Sequence, residues 1–317
     1  MSEEQVTVQS RAILGKPLLY LNGALLIILA ASALIFGPYV LLLATVSIAI
    51  SAAFDYLFIY FKKAQWDGSL LLYPLVFTLM LPPSAPLWIA GVGAAFGNLF
   101  AKRLFGGYGK TIFHPGVVGI LFLTISFPII IFGWFDPTVH GWYNPFVAGA
   151  TSILEPLTPL HNLNATGDTP ATLMNLLLGQ TAGNIGETFA LLILVLGTGL
   201  MALKVIDWKI PVIILGSFFV LSVIFQLLGV SGDPVKSLLS GSLLFGAFFV
   251  ASDPVHAPIR PKAIVAFGFG VALVTFVIRN FATFAEGFIF ALIIMTAVGF
   301  LIDGWLEKKE GLHEKNT

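Results

Sequence analysis

The chain consists of long apolar runs that are separated by short polar stretches. Ten apolar segments can be marked, with approximate bounds 17–36, 38–61, 69–82, 86–101, 113–134, 187–203, 210–230, 236–252, 263–278 and 284–303. Runs of about 20 residues match the length at which an α-helix crosses the hydrocarbon core of a bilayer. The pattern therefore predicts an all-α polytopic membrane protein with ten transmembrane segments.

Segments three and eight are short, and each ends at proline, in LMLPPSAP and VASDPVHAP. Short or broken apolar segments at matching places in two halves are typical of half-helices around a central site. An internal repeat supports this interpretation, because at an offset of 171 residues Phe77 matches Phe248 and Pro83 matches Pro254. Each half would hold five segments, an odd number, so the two repeats are predicted to be inverted in the membrane.

The placement of charge supports the ten-segment map. If the N-terminus is cytoplasmic, the C-terminus is cytoplasmic too, and only Lys236 and Arg279 lie on the outer side. The cations predicted on the cytoplasmic side are Arg11, Lys16, Lys62, Lys63, Lys102, Arg103, Lys110, Lys204, Lys209, Arg260, Lys262, Lys308, Lys309 and Lys315. This distribution satisfies the positive-inside rule.

The predicted domain organisation follows from the same map. Residues 1–134 form the first five-helix repeat, 135–186 an outer loop, 187–305 the second five-helix repeat and 306–317 a cytoplasmic tail. The loop contains no Lys or Arg, and structureless loops of this length are uncommon and often functional.

Composition excludes several classes of protein. Hydrophobic residues make up 57% of the 317 residues and charged residues only 10%, whereas about 25% is usual for a soluble domain. The formal net charge is zero, which gives no indication of nucleic-acid binding. The chain has no cysteine, so disulfides, thiol catalysis and cysteine-ligated iron–sulfur clusters are excluded. If the protein moves electrons, its own carrier must be organic.

Carboxylates near the apolar segments are the first candidate functional groups, because a charge there is costly unless it is solvated, capping or paired. Glu187 begins segment six, Asp253 ends segment eight and Glu286 lies at the start of segment ten. Two of them have a specific structural alternative: Glu187 would lie in the first turn of a helix, where the dipole favours an acid, and Asp253 would cap a broken half-helix. In the loop, the hydroxyls of Thr151 and Thr158 are further candidates.

Several motifs resemble those of the RnfD/NqrB family of ion-translocating electron-transfer complexes. They are LFGGYGKTIFHPGVVG (104–119), AGAT (148–151), LLLGQTAGNIGETFALLIL (176–194), VIDWKIP (205–211) and GSLLFGAFFVASDPVHAP (241–258), in the family's order. The resemblance extends from about residue 69 to Asp303, and the chain length is closer to the D subunit of Rnf than to the B subunit of Nqr.

The resemblance implies a fold similar to urea channels, in the cell inner membrane. It also implies an FMN joined through its phosphate to a threonine hydroxyl on the outer face, placed there by a flavin transferase. Family members can hold a further, non-covalent riboflavin. The implied partners are membrane subunits that carry an iron–sulfur cluster and an outer flavoprotein subunit.

The flavin motif, similar to D-x-x-S-G-A-T-P-L in the family, is divided between two threonines. Gly149, Ala150 and Thr151 match its G-A-T, but Ser152 follows where the family has proline. Thr158 is followed by the matching Pro-Leu, but its preceding residues differ. Thr151 is therefore our first choice for the covalent flavin, Thr158 is the alternative, and the absence of covalent flavin is the third possibility.

Other residues complete this set of predictions. Gly149, Ala150, Glu187 and Asp253 are the additional candidate cofactor-binding residues, with no catalytic or metal-ligating residue predicted. The family's asparagine in F-N-P-A is replaced by His114.

Three functions remain open at this point. The first is an electron-relay subunit of an Rnf-type ferredoxin:NAD oxidoreductase that couples electron transfer to Na⁺ or H⁺ movement; it would be one part of an enzyme. The second is a channel or transporter for a small solute, in which segments three and eight line the path. The third is a membrane subunit that only scaffolds its partners.

Overall fold

The computed structural model of the protein describes residues 16–62, 68–140, 142, 158–282 and 286–314. All regular structure in these ranges is helical. The first helices are α1 (Lys16–Phe36), α2 (Tyr39–Lys62), α3 (Leu72–Leu79), α4 (Leu87–Phe96), α5 (Pro115–Ser126) and α6 (Pro128–Ile131). The loop predicted at 135–186 contains α7 (Pro137–His140), α8 (Pro159–Thr166) and α9 (Leu173–Leu178). The last helices are α10 (Ala190–Ala202), α11 (Lys209–Leu227), α12 (Pro234–Leu239), α13 (Leu243–Phe249), α14 (Pro261–Phe281) and α15 (Phe288–Glu314).

Five helices of the described chain are long and apolar enough to cross a membrane: α1, α2, α11, α14 and α15. They coincide with the predicted segments one, two, seven, nine and ten. Large apolar side chains, such as Leu19, Leu34 and Leu227, remain exposed on them, as expected for surfaces that face lipid. The prediction of an all-α, multi-pass membrane protein is confirmed in this coarse form.

The third and eighth apolar segments contain short helices that end inside the protein. All eight residues of α3 and all seven of α13 are buried. An eight-residue helix is about 12 Å long, and the hydrocarbon core is about 30 Å thick, so neither helix can cross it alone. Both helices end shortly before prolines, as the sequence predicted.

The short helices are enclosed by their neighbours in the chain. Helix α3 contacts α1, α2 and α5, and α13 contacts α10, α11 and α12. The two groups of helices meet where α1 contacts α10 and where α5 contacts α15.

Glycines allow the backbones within the first group to approach closely. A Cβ on Gly97 would lie 2.3 Å from the Pro115 carbonyl oxygen, and one on Gly119 would lie 2.6 Å from the Gly93 carbonyl oxygen. Helix interfaces in membranes rely on such small residues because lipid provides no hydrophobic force that drives helices together.

We expect the substitution Gly97→Ala to destabilise the protein, because the new methyl group would meet backbone rather than a movable side chain. The cost should be about 1–3 kcal/mol, as for other overpacked sites. Thermal midpoints in detergent would measure it. The matched control is Gly199→Ala in α10, where a Cβ meets nothing within 4 Å. Equal midpoints for the two variants would contradict close backbone packing at Gly97.

Candidate functional site

A narrow crevice brings together residues from the loop, from the α9–α10 connection and from the start of α13. Its free volume is about 10 Å³, enough for about one water molecule. Its polar lining consists of Thr158, Thr181, Glu187, Thr188, Ser240 and Glu286. Two of the predicted site residues, Thr158 and Glu187, therefore line the same crevice.

Glu187 is held by the turn that precedes α10. Its carboxylate accepts hydrogen bonds from the backbone N–H of Asn184 at 2.9 Å and from the side-chain amide of Asn184 at 3.0 Å. The indole N–H of Trp134 donates to the amide oxygen of Asn184 at 2.8 Å. The prediction that Glu187 lies in a helix first turn is wrong: α10 begins at Ala190, and the carboxylate stabilises the preceding turn instead.

The same connection closes the end of α3. The N–H of Ile185 donates to the Leu81 carbonyl at 3.0 Å, and the N–H of Gly186 donates to the Leu79 carbonyl at 2.7 Å. The last carbonyls of a helix have no partner within it, and here no bulk water is at hand to supply one. The GNIGET stretch therefore completes the hydrogen bonding of α3 and holds Glu187 beside it.

Glu286 and Arg279 stabilise the break between α12 and α13. Glu286 accepts from the backbone N–H of Ser242 at 3.0 Å and from its hydroxyl, so a carboxylate lies at the start of α13. The guanidinium of Arg279, only 2% exposed, donates to the carbonyls of Ser237 at 2.9 Å and Ser240 at 3.2 Å. The charge pattern of the sequence places Arg279 on the outer side but does not identify the groups that it contacts.

Gly241 lies at this break with a φ of +70°, which favours glycine. A Cβ there would lie 2.3 Å from a carboxylate oxygen of Glu286 and 2.9 Å from the guanidinium of Arg279. The close approach of these two charged side chains therefore depends on glycine at this position.

Thr158 caps helix α8. Its hydroxyl accepts a hydrogen bond from the backbone N–H of His161 at 3.1 Å, and the residue is only 6% exposed. Threonine is a favoured residue at this position of a helix. The other predicted flavin residues, Gly149, Ala150 and Thr151, lie outside the described residues.

A second, more open groove lies beside the crevice and shares Pro159 and Thr181 with it. Its free volume is about 170 Å³. Its polar lining consists of Asp136, Thr138, Asn162, Thr169, Asn175, Gln180 and Thr181. Amides and hydroxyls of this kind can hydrogen-bond a polar ligand.

A cation from α12 reaches the loop that lacks its own cations. The ammonium of Lys236 lies 2.9 Å from the carboxylate of Asp168 and donates to the Thr169 carbonyl at 3.1 Å. The hydrogen bond from Lys236 holds the pKa of the Asp168 carboxyl below its usual value. The loop itself contains no Lys or Arg, and Lys236, which the charge pattern places on the same side, contributes a cation to it.

A separate buried group, the histidine cluster, consists of Tyr73, Thr111, His114, Asp253 and His256. The imidazole Nδ1 of His256 lies 2.7 Å from the Asp253 carboxylate, and its Nε2 lies 2.8 Å from the Thr111 hydroxyl. The Tyr73 hydroxyl lies 3.5 Å from that of Thr111, and the ring centroids of His114 and His256 are 5.2 Å apart. Asp253 is thus not part of the crevice.

Asp253 does not cap α13, which ends at Phe249. Its second carboxylate oxygen accepts from the N–H of Val255 at 3.2 Å, within the turn that follows the helix. The pairing of Asp253 with His256 was not predicted from the sequence, although their spacing of three residues was a signal.

Asp55 forms a third buried polar group next to the histidine cluster. Its carboxylate lies 2.7 Å from the ammonium of Lys102 and 2.6 Å from the guanidinium of Arg103, and it accepts from the Asn98 amide at 2.9 Å. The Lys102 ammonium also lies 5.8 Å from the centre of the Tyr73 ring.

Comparisons with known proteins agree on one family. The family model described as "NQR2, RnfD, RnfE family" matches residues 3–311. The chain is 34% identical over 260 residues to the D subunit of the ion-translocating oxidoreductase complex of Stutzerimonas stutzeri, covering 75% of this chain and 73% of the relative.

Two further relatives have more specific names. The D subunit of the proton-translocating ferredoxin:NAD(+) oxidoreductase complex of Clostridium ljungdahlii is 33% identical over 239 residues, covering 75% of this chain and 72% of the relative. The D subunit of the Na(+)-translocating ferredoxin:NAD(+) oxidoreductase complex of Acetobacterium woodii is 31% identical over 293 residues, covering 90% of this chain and 87% of the relative.

We expect Asp55→Asn to lower the thermal midpoint strongly, because it leaves two buried cations without their carboxylate. Breaking one side of a buried ion pair typically costs about 3–5 kcal/mol. Asp168→Asn is the matched control, since it removes an exposed carboxylate from its pair with Lys236 and should change the midpoint little. A midpoint for Asp55→Asn as high as that of the control would show that the buried pair contributes nothing.

Proposed function

Because the chain belongs to the NQR2, RnfD, RnfE family, we propose that it is the membrane electron-relay subunit of an Rnf-type complex. The complex would pass electrons between ferredoxin and NAD and couple this transfer to movement of Na⁺ or H⁺. The observation that carries the proposal is the similarity to D subunits of such complexes over three quarters or more of the chain. The subunit is one part of an enzyme and needs its partners at both ends of the electron path.

The proposed membrane arrangement is ten spans in two inverted five-helix repeats, similar to urea channels. The order of the helices supports it, since α3 begins at Leu72 and α13 at Leu243, which are 171 residues apart. This is the offset of the repeat in the sequence. The partial spans, α3 and α13, would each be extended by the turns that flank them.

Charge supports an orientation in the cell inner membrane with both termini in the cytoplasm. The buried group around Asp55 and the histidine cluster lie on the side that carries Lys102, Arg103 and Lys110. The crevice, with Arg279 and the loop, lies on the proposed outer side. The positive-inside rule favours this assignment over the reverse one.

Thr151 remains our first choice for an FMN attached through its phosphate, with Gly149 and Ala150 beside it. The environment of Thr158 supports this choice, because Thr158 is buried and its hydroxyl already caps α8. The groove beside it provides amides, including Asn162 and Gln180, that can hydrogen-bond a flavin held nearby.

FMN would supply a carrier that accepts one or two electrons. The chain has no cysteine, so it cannot hold a cysteine-ligated iron–sulfur cluster of its own. The protein would orient the flavin and hold it at the outer face. Proposed partners are membrane subunits that carry an iron–sulfur cluster, an outer FMN subunit and the flavin transferase. A second, non-covalent flavin such as riboflavin stays a prediction without assigned residues.

A channel or transporter for a small solute is the second candidate, favoured by the two short helices that end inside the bundle. Such helices surround the central site in many transporters. A scaffold subunit without flavin is a third. Both alternatives predict that the protein carries no flavin.

We expect Thr151→Val to abolish in-gel flavin fluorescence of the denatured subunit, because it removes the hydroxyl that would form the phosphoester. The complex should then lose electron transfer from ferredoxin to NAD⁺. Thr158→Val should keep the fluorescence and cost about 1 kcal/mol of stability through loss of the helix cap. Thr158→Ser keeps the hydroxyl and is the matched control.

Loss of fluorescence in Thr158→Val alone would assign the flavin to Thr158. An unmodified mass for the wild-type subunit, from a host with an active flavin transferase, would contradict covalent FMN at either threonine. Mass spectrometry of the modified peptide separates these outcomes.

The orientation can be tested without background labelling, because the chain has no cysteine. We expect Asn164→Cys to react with a membrane-impermeant maleimide in intact cells, whereas Lys110→Cys should react only after lysis. Both positions are exposed in the structure. Labelling of both in intact cells would be incompatible with the ten-span arrangement.

A further inference from the structure

The histidine cluster contains a row of polar side chains suited to moving a proton, with short steps of 2.7 and 2.8 Å around His256 and a longer one of 3.5 Å between Thr111 and Tyr73. This inference rests on the proposed function, and similarity alone does not choose the ion, since the relatives include one named for protons and one for Na⁺. The row runs from the Tyr73 hydroxyl through Thr111 and His256 to Asp253. All four side chains are buried, while Lys110, next to Thr111, is exposed. Thr111 is therefore next in sequence to an exposed residue.

The hydrogen bonds define the state of His256. Asp253 accepts from the backbone N–H of Val255; when its carboxylate is ionised it can only accept, so Nδ1 of His256 then carries a hydrogen. In the neutral ring, Nε2 then has a lone pair that accepts from the Thr111 hydroxyl at 2.8 Å. A carboxylate, an imidazole and a hydroxyl in this order form a general-base arrangement.

His114 adds a buried donor without a partner. Its Nδ1 accepts from the backbone N–H of Gly116 at 3.2 Å, so in the neutral ring the hydrogen is on Nε2. Nε2 has no hydrogen-bond partner among the described residues, and the residue is only 3% exposed. His114 and His256 line the same cleft. His114 therefore places a second buried imidazole beside His256.

Three buried carboxylates on this side, those of Asp55, Asp253 and Asp303, are poorly prepared to bind Na⁺, a cation that needs oxygen ligands. Both oxygens of Asp253 accept from N–H groups, and both oxygens of Asp55 face the nitrogens of Lys102, Arg103 or Asn98. The oxygens of Asp303 accept from the backbone N–H groups that start the turn before α14. A sodium ion would have to displace these donors, whereas a proton needs only the Nε2 lone pair of His256.

We propose that the ion transported by this subunit is a proton, and that His256 takes it up from the cytoplasmic side through Thr111. In this step Thr111 gives its hydroxyl hydrogen to Nε2 of His256 and takes one from the Tyr73 hydroxyl, which is in turn reprotonated by a proton from cytoplasmic water. Thr111 is unchanged, and His256 becomes an imidazolium whose charge is balanced by Asp253. The nearest other titratable groups are Tyr73, His114 and Lys102.

The test uses the whole complex in proteoliposomes, with reduced ferredoxin and NAD⁺ in Na⁺-free buffer. A pH-sensitive dye and NADH absorbance together give the number of protons moved per NADH formed. The wild-type complex should build a pH gradient that a sodium ionophore does not abolish. In His256→Gln, which keeps a polar side chain but cannot hold the proton, this ratio should fall about tenfold or more.

His161→Gln, on the exposed face of α8, is the matched control and should keep the wild-type ratio. A second pair, Thr111→Val and Thr111→Ser, applies if His256→Gln fails to assemble. Thr111→Val should lower the number of protons moved per NADH formed, and Thr111→Ser should keep it at the wild-type value.

A wild-type ratio in His256→Gln, or uptake of ²²Na⁺ by the wild type without direct proton movement, would overturn the proton relay and leave the proposed function intact. A wild-type complex that passes no electrons from ferredoxin to NAD⁺ contradicts the proposed function itself. The two failures are therefore distinguishable.

Discussion

Two helices that end inside an apolar interior impose the constraint on which the rest of the structure depends. The terminal carbonyls of α3 and the terminal N–H groups of α13 have no partners within their helices, and lipid offers none. The turn before α10 supplies N–H groups to Leu79 and Leu81, and Glu286 supplies a carboxylate to Ser242. The polar residues of the crevice are thus first of all the groups that allow these helices to stop there.

The same constraint places the crevice and the histidine cluster at opposite ends of both short helices. The crevice lies at the end of α3 and the start of α13, whereas Tyr73 lies at the start of α3 and Asp253 follows the end of α13. The helices therefore run in opposite directions between the crevice and the histidine cluster. The apolar stretch along them is about 12 Å, much less than the thickness of about 30 Å of the hydrocarbon core.

Local patterns were sufficient to predict much of the fold. The apolar runs predicted the five long helices, and the prolines after residues 81 and 253 predicted the short ones. Periodicity and capping rules act over a few residues, so they could not show that His256 meets Thr111, 145 residues away, or that Lys236 meets Asp168. Glu187 was assigned to a helix because its sequence is continuous with one, but its own hydrogen bonds to Asn184 form a turn instead.

In the proposed function, coupling between an electron on the outer side and a proton at the histidine cluster would require more than their mutual field. Even at about 12 Å, the length of α3, and an effective dielectric constant of about 20, two unit charges interact by only about 1.4 kcal/mol, and a larger separation gives less. Moving one charge against a membrane potential costs about 2.3 kcal/mol per 100 mV. The difference between these two energies must come from a change in contacts that the crevice and the histidine cluster share. Helices α3 and α13 are held by the crevice at one end and by the histidine cluster at the other, so a shift of either helix changes both sets of hydrogen bonds together.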